Sequence, residues 1–191
     1  MTNGELEQNI RALLSSRGHE ADRREHDRAL AFLLAHPDEA HPRLLALLDP
    51  QSAAVPVAAV NALPLFGLAD SVPVLEKLMR EGAELISISA GQALGRHSRP
   101  EALEALLRGL EDGREETKVA ALDGLMTRGD NSVCPVLQKL LDHSSYEVRY
   151  HAVKAAGKLR CLTSENLKQI AANDNERDIR ELASTLMSEG S

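Results

Sequence analysis

The stretch Tyr146–Leu159, YEVRYHAVKAAGKL, holds an arginine, a histidine and two lysines around a core of small residues. It is either a site with chemistry in it or one copy of a structural unit. Stepping by 31 residues decides between them. From Ala152 the step lands on Ala121, Ala90 and Ala59 going back and on Ala183 going forward. From Leu137 it lands on Leu106, Leu75, Leu44 and Leu13. Pro135 maps to Pro73 and Pro42, with Glu104 between them, and Val148 maps to Ile179, Ile86 and Val55. Several independent positions in one register indicate an array of supersecondary units.

Each unit reads as two helices. The first opens with proline and carries paired leucines, as in HPRLLALLD, VPVLEKLM and CPVLQKLLD. Proline suits a first helical turn, where its missing N–H has no partner to lose. Leu44, Leu47 and Leu48 recur as Leu75, Leu78 and Met79 and as Leu137, Leu140 and Leu141, spacings that share one face. Turns such as DHSSYE and NDNERD follow, rich in residues that cap helices. The second helix carries Ala90, Ala93 and Gly95, or Ala121 and Gly124, or Ala152, Ala155 and Gly157, which permit close approach of neighbouring helices. The pattern predicts helices over 5–16, 20–35, 40–49, 53–67, 71–80, 84–96, 101–110, 115–127, 132–141, 146–159, 164–171 and 176–188. It is read as a single domain over 1–191: five regular repeats over 39–191, behind an atypical, highly charged capping pair over 1–38.

Composition agrees. Aromatic residues are 2% of the 191, Trp is absent, and the core must be aliphatic. A net charge of −7 and few aromatics argue against a nucleic-acid backbone or stacked bases as the main partner. The acidic start MTNGELEQNI lacks the basic and apolar regions of a signal peptide, and no apolar run reaches the ~20 residues of a membrane span. A cytoplasmic location is expected. Cys134 and Cys161 form no CxxC and are expected to be packed, reduced thiols.

Pro-opened leucine helices followed by EVRYHAVKAAGKL, with ETKVAALDGLM and RDIRELASTLM as looser copies, resemble HEAT-like repeats of the phycobilisome-lyase type. The resemblance implies an all-α, right-handed α-solenoid of about six helix pairs, with first helices on the convex side and second helices on the concave side. The recurrent basic residue of the family maps to Lys118, Arg149 and Arg180, whereas Pro56 and Ser87 depart from it. These three are expected to bond helix caps or turn carboxylates such as Asp142.

Catalytic readings find little support in the residues. Deoxyhypusine hydroxylase resembles such an array with several His-Glu pairs; here one pair stands, His19-Glu20, outside the good register. His19, Glu20, Asp22, Glu25 and His26 are read as a solvated face of the capping pair, and no metal is expected. His151 has no nucleophile beside it, and His97 is expected to be solvated in a loop. DNA-glycosylase arrays imply a basic, aromatic-bearing face that this chain lacks.

The second helices carry the remaining candidate. One row, Val57, Ile88, Val119 and Tyr150, is apolar in four successive repeats before ending at Glu181; the next, Asn61, Gln92, Asp123 and Lys154, is polar. An apolar stripe beside a polar row fits a partner groove. Equally, a small rotation of each helix would bury it. Tyr150 is the best single anchor, and Tyr150, His151 and Lys154 are where the opening stretch differs most from its siblings. The reading is a bacterial-type, cytoplasmic, non-catalytic scaffold or adaptor without cofactor, a monomer or weak oligomer, binding a protein or peptide but neither nucleic acid nor membrane. A bilin lyase-like or chaperone subunit, as the family resemblance implies, and an inhibitor or immunity-type binding protein are the alternatives.

Overall fold

The computed structural model describes residues 2–15, 20–50, 52 and 54–189. The expected helix ends at Ser16 and Ala53, and His19 of the charged cluster, lie outside the described residues. Among those residues the fold is all-helical, with twelve α-helices: α1 (Asn3–Ser15), α2 (Glu20–Leu34), α3 (Pro37–Leu45), α4 (Val57–Phe66), α5 (Ser71–Glu81), α6 (Glu84–Arg96), α7 (Pro100–Leu110), α8 (Glu115–Arg128), α9 (Cys134–Leu140), α10 (Tyr146–Lys158), α11 (Ser164–Asn173) and α12 (Arg177–Glu189). None is long and apolar enough to cross a membrane.

Local chemistry sets several boundaries. α4 begins at Val57, later than the pattern suggests, because Pro56 occupies its N-cap and a residue before proline is pushed out of the helical region. α3 begins at Pro37, so Pro42 lies within the helix rather than opening it. α9 is short because a 3-10 turn, Asn131–Val133, takes its place at the start, with the Asp130 side chain accepting from the Ser132 N–H. α4 and α8 stop at Gly67 and Gly129, whose φ of 65° and 76° glycine adopts without the penalty a side chain brings.

Consecutive helices pair as hairpins, and hairpins stack in chain order: α4 packs on α6, α6 on α8, α8 on α10 and α10 on α12. Leu13, Leu44, Leu75, Leu106 and Leu137 are all fully buried on first helices, as are Ala59, Ala90, Ala121, Ala152 and Ala183 on second helices. The tightest stacking is α6 on α8. A Cβ built on Gly91 would lie 2.7 Å from the Ala120 carbonyl carbon, and one on Gly95 would lie 3.0 Å from that of Gly124. Gly91 therefore faces Ala120 while Gly95, one turn on, faces Gly124. The two second helices run parallel, with backbone against backbone.

Two expectations about side chains are corrected here. Cys134 and Cys161 are not free thiols: they form a disulfide, with Cα atoms 5.2 Å apart. In an antiparallel hairpin the start of the first helix lies beside the end of the second, which brings the first residue of α9 to Cys161, three residues past the end of α10. His97 is not solvated but 1% exposed. It occupies the register of Phe66 and Leu159, beneath the turn that joins one hairpin to the next.

Candidate protein-interaction face

The basic residues that recur in the second helices have a structural task. At the turns between first and second helices, Asp112, His143 and Asp174 stand in register. Each side chain accepts a backbone N–H two residues on: Asp112 from Arg114 at 2.9 Å, His143 Nδ1 from Ser145 at 3.1 Å, Asp174 from Glu176 at 2.8 Å. Lys118, Arg149 and Arg180 then reach back to the carbonyls of these same turns. Lys118 Nζ donates to the Asp112 carbonyl, Arg149 Nη1 to those of His143 and Ser144, and Arg180 Nη1 to those of Asp174 and Asn175. Arg149 also grips Asp174 of the next repeat with two bonds, Nε–Oδ2 at 3.1 Å and Nη2–Oδ1 at 3.3 Å. The carboxylate partner is thus Asp174 rather than Asp142. Burial pushes the Asp174 carboxyl up, but the Arg149 bonds, the Glu176 N–H and nearby Arg180 outweigh it and hold its pKa below the usual range.

The two rows of the second helices lie differently. Val57, Ile88, Val119 and Tyr150 are each half-buried, neither sealed between helices nor standing clear. Beside them Asn61 and Lys154 are exposed, while Gln92 and Asp123 are half-buried. The structure brings three members together. His151 Nδ1 lies 3.0 Å from Asp123 Oδ1, linking α10 to α8, with both side chains less than a fifth exposed. The ring of Tyr150 meets those of Tyr146 and His151 at centroid distances of 6.1 and 5.7 Å. Tyr146 in turn donates to Asp178 Oδ2 at 3.4 Å; desolvation first, then the Asp178 and Glu147 carboxylates, raise its phenol above the usual pKa. At the other end, Asn61 accepts from Arg96 Nη2 at 2.7 Å.

The row one turn toward the helix N-termini also belongs to this face, and sequence reasoning missed it. It runs Ala54, Leu85, Glu116, Glu147 and Asp178, all exposed. Leu85 is 67% exposed, the largest value among the large hydrophobic residues described as exposed. The signal was available: two steps of 31 back from Glu147 reach Leu85, an apolar residue where the next three repeats carry Glu116, Glu147 and Asp178.

Of the charged cluster of the capping pair, His26 Nδ1 lies 3.2 Å from the Leu13 carbonyl, tying α2 to α1. Glu25 lines a shallow cleft with Asn3, Glu7 and Arg11. A second cleft, about 680 Å³, opens between α9 and α11 over Leu141 and Ile170, rimmed by Gln138, Gln169 and Asn173. The polar pair His41 and Ser71 is buried, Nε2 to Oγ 2.7 Å, and pins α3 to α5 within the core.

The family described as HEAT repeats matches residues 41–125 and 103–187. A solved structure, the complex of CpcE and CpcF of phycocyanin lyase from Nostoc sp. PCC7120, is similar with a TM-score of 0.49 and 23% sequence identity, over 93% of this chain and 74% of that one. None of the curated proteins compared with the chain matches it.

Proposed function

The chain belongs to the HEAT-repeat family, and on that premise we propose that it is a non-catalytic scaffold that binds a protein or peptide across its second helices. One observation carries the reading. Four successive parallel helices present a half-buried apolar residue at equivalent places, Val57, Ile88, Val119 and Tyr150, beside the exposed Leu85. Neighbouring helices leave part of each side chain accessible, so the row can give up further apolar surface to a ligand, at about 25 cal/mol per Å². Tyr150 is the anchor: aromatic, half-buried, and supported by Tyr146 and His151, with no hydrogen bond of its own hydroxyl among the described residues. Val57, Asn61, Ile88, Gln92, Val119, Asp123, Tyr150, His151 and Lys154 form the surface. Lys118, Arg149 and Arg180 do not, since each reaches back to the turn carbonyls of the chain itself.

Affinity capture from the source cells with the wild-type chain and with Tyr150→Ala tests the proposal. A partner retained by the wild type and lost by the variant supports it, given equal thermal stability of the two. A partner retained equally by both places the interface elsewhere. A bilin titration in parallel, read by visible absorbance, separates the scaffold from a chromophore-handling role: a red-shifted bound chromophore overturns the scaffold reading.

A further inference from the structure

We infer that the occupant of this face is an amphipathic helix, apolar at one end and basic at the other, lying across the second helices with its basic end over α8–α12. The inference rests on the scaffold reading and adds the chemistry of the partner.

Spacing suggests the conformation. Packed helices lie about 8–10 Å apart, so Val57, Ile88, Val119 and Tyr150 recur at that interval along the face. A helix advances about 10.5 Å in seven residues. A helical ligand running across the array therefore meets each anchor with one apolar residue per heptad. An extended segment advances about 10 Å in three residues, and because its side chains alternate, the third points away. Four anchors span roughly 30 Å, or about 20 residues of helix.

Charge suggests the orientation. The floor stays apolar over four helices, but the wall beside it changes. In the first half it is Ala54 and Leu85; in the second it is Glu116, Glu147 and Asp178, all exposed, with Asp123 on the opposite wall and Glu181 closing the row. Against these stand Lys154 of the facing rows and Arg177, which holds Glu181 through Nε–Oε1 at 2.7 Å. The side chain of Glu147 makes no hydrogen bond or ion pair among the described residues, and Glu116 reaches only Arg114, at 3.7 Å. First-turn carboxylates favour the helix macrodipole wherever they occur. That effect does not account for Leu85, which holds the same place in α6 and is two-thirds exposed. An apolar wall and an acidic wall in sequence are complementary to a ligand with apolar and basic ends.

Selection from a phage-displayed library of random segments of about 21 residues, on the immobilised full chain, tests the inference. Enriched segments are expected to carry apolar residues seven apart and an excess of Lys and Arg toward one end. A synthetic peptide of the enriched sequence should lose about tenfold in affinity on Leu85→Glu and on Glu147→Lys, both at exposed positions. Only the Glu147→Lys loss should shrink as salt is raised. Acidic segments, or segments without a heptad, overturn the inference; if Tyr150→Ala still abolishes their binding, the scaffold reading stands without it. Segments indifferent to Leu85→Glu, Glu147→Lys and Tyr150→Ala overturn both. A library that yields no segment overturns the helix-binding inference alone.

Discussion

Replacing Gly91 by alanine adds a single methyl group to the middle of α6, where alanine is otherwise the better helix former by about 1 kcal/mol. In the array the change should be destabilising, because that methyl would meet backbone. Its Cβ would lie 2.7 Å from the Ala120 carbonyl carbon and nearer still to the oxygen, and neither can rotate away. α6 and α8 must separate, and the contacts around Gly95 and Gly124 separate with them. Overpacking of this kind costs about 1–3 kcal/mol beyond the propensity gain. For a chain of this length that lowers Tm by roughly 2–4 °C per kcal/mol. Gly157→Ala is the matched control: its Cβ would meet Leu186 Cδ1 at 2.5 Å and Cδ2 at 2.8 Å, the tips of a half-buried side chain that can take another rotamer. Urea denaturation of both variants gives the difference directly. Gly124 faces the same contact, with a Cβ 2.9 Å from the Gly91 carbonyl carbon. The Gly91→Ala, Gly124→Ala double variant should therefore cost less than the two singles added together. A Gly91→Ala chain as stable as the wild type, or more stable, would refute the backbone-to-backbone packing of α6 and α8.

Thr117 is fully buried with an Oγ1 that has no hydrogen-bond partner among the described residues, in the register where Ile86, Val148 and Ile179 stand. Thr117→Val should raise stability by about 1 kcal/mol or more in urea denaturation, since an orphaned buried hydroxyl is costly. His41 and His97 are buried, and desolvation lowers both imidazole pKa values. The unfolded chain then binds protons that the folded chain refuses. Stability should fall as pH drops below about 6.5 toward the lowered folded values, and thermal melts from pH 8 to 5 should show that slope reduced in His97→Leu, roughly at the level of one group. The Cys134–Cys161 disulfide closes a loop over a sequence separation of 27. Cys134→Ser, or the reduced protein, should lose roughly 3–4 kcal/mol on the chain-entropy account, and alkylation of the unreduced, unfolded chain should label no thiol.

Much of the fold was legible because burial recurs in the register of the sequence: Leu13 to Leu137 and Ala59 to Ala183 are buried at every step. What escaped was set by three-dimensional neighbours. Gly91 and Gly95 sit one turn apart on the same face, yet only the fold shows that Gly124 of the next repeat lies against them. The disulfide joins positions with no repeat relation, adjacent only because α9 and α10 run antiparallel. His97 reads as a loop residue by its neighbours in the chain and as a buried one by its register with Phe66 and Leu159. The apolar row shows a different limit. Period locates Val57, Ile88, Val119 and Tyr150 on one face, but the rotation of each helix against its neighbours decides how much of that face stays open. The structure leaves it half-open, an outcome lying between the two that the pattern allowed.

Site-specific photo-crosslinking tests the central claim most directly. A benzophenone side chain placed at Tyr150 is compared with one at Lys77, exposed on the first helix α5. The account predicts covalent capture of a partner at position 150, suppressed by Leu85→Glu, and none at position 77. Capture at position 77 with none at 150 would contradict it.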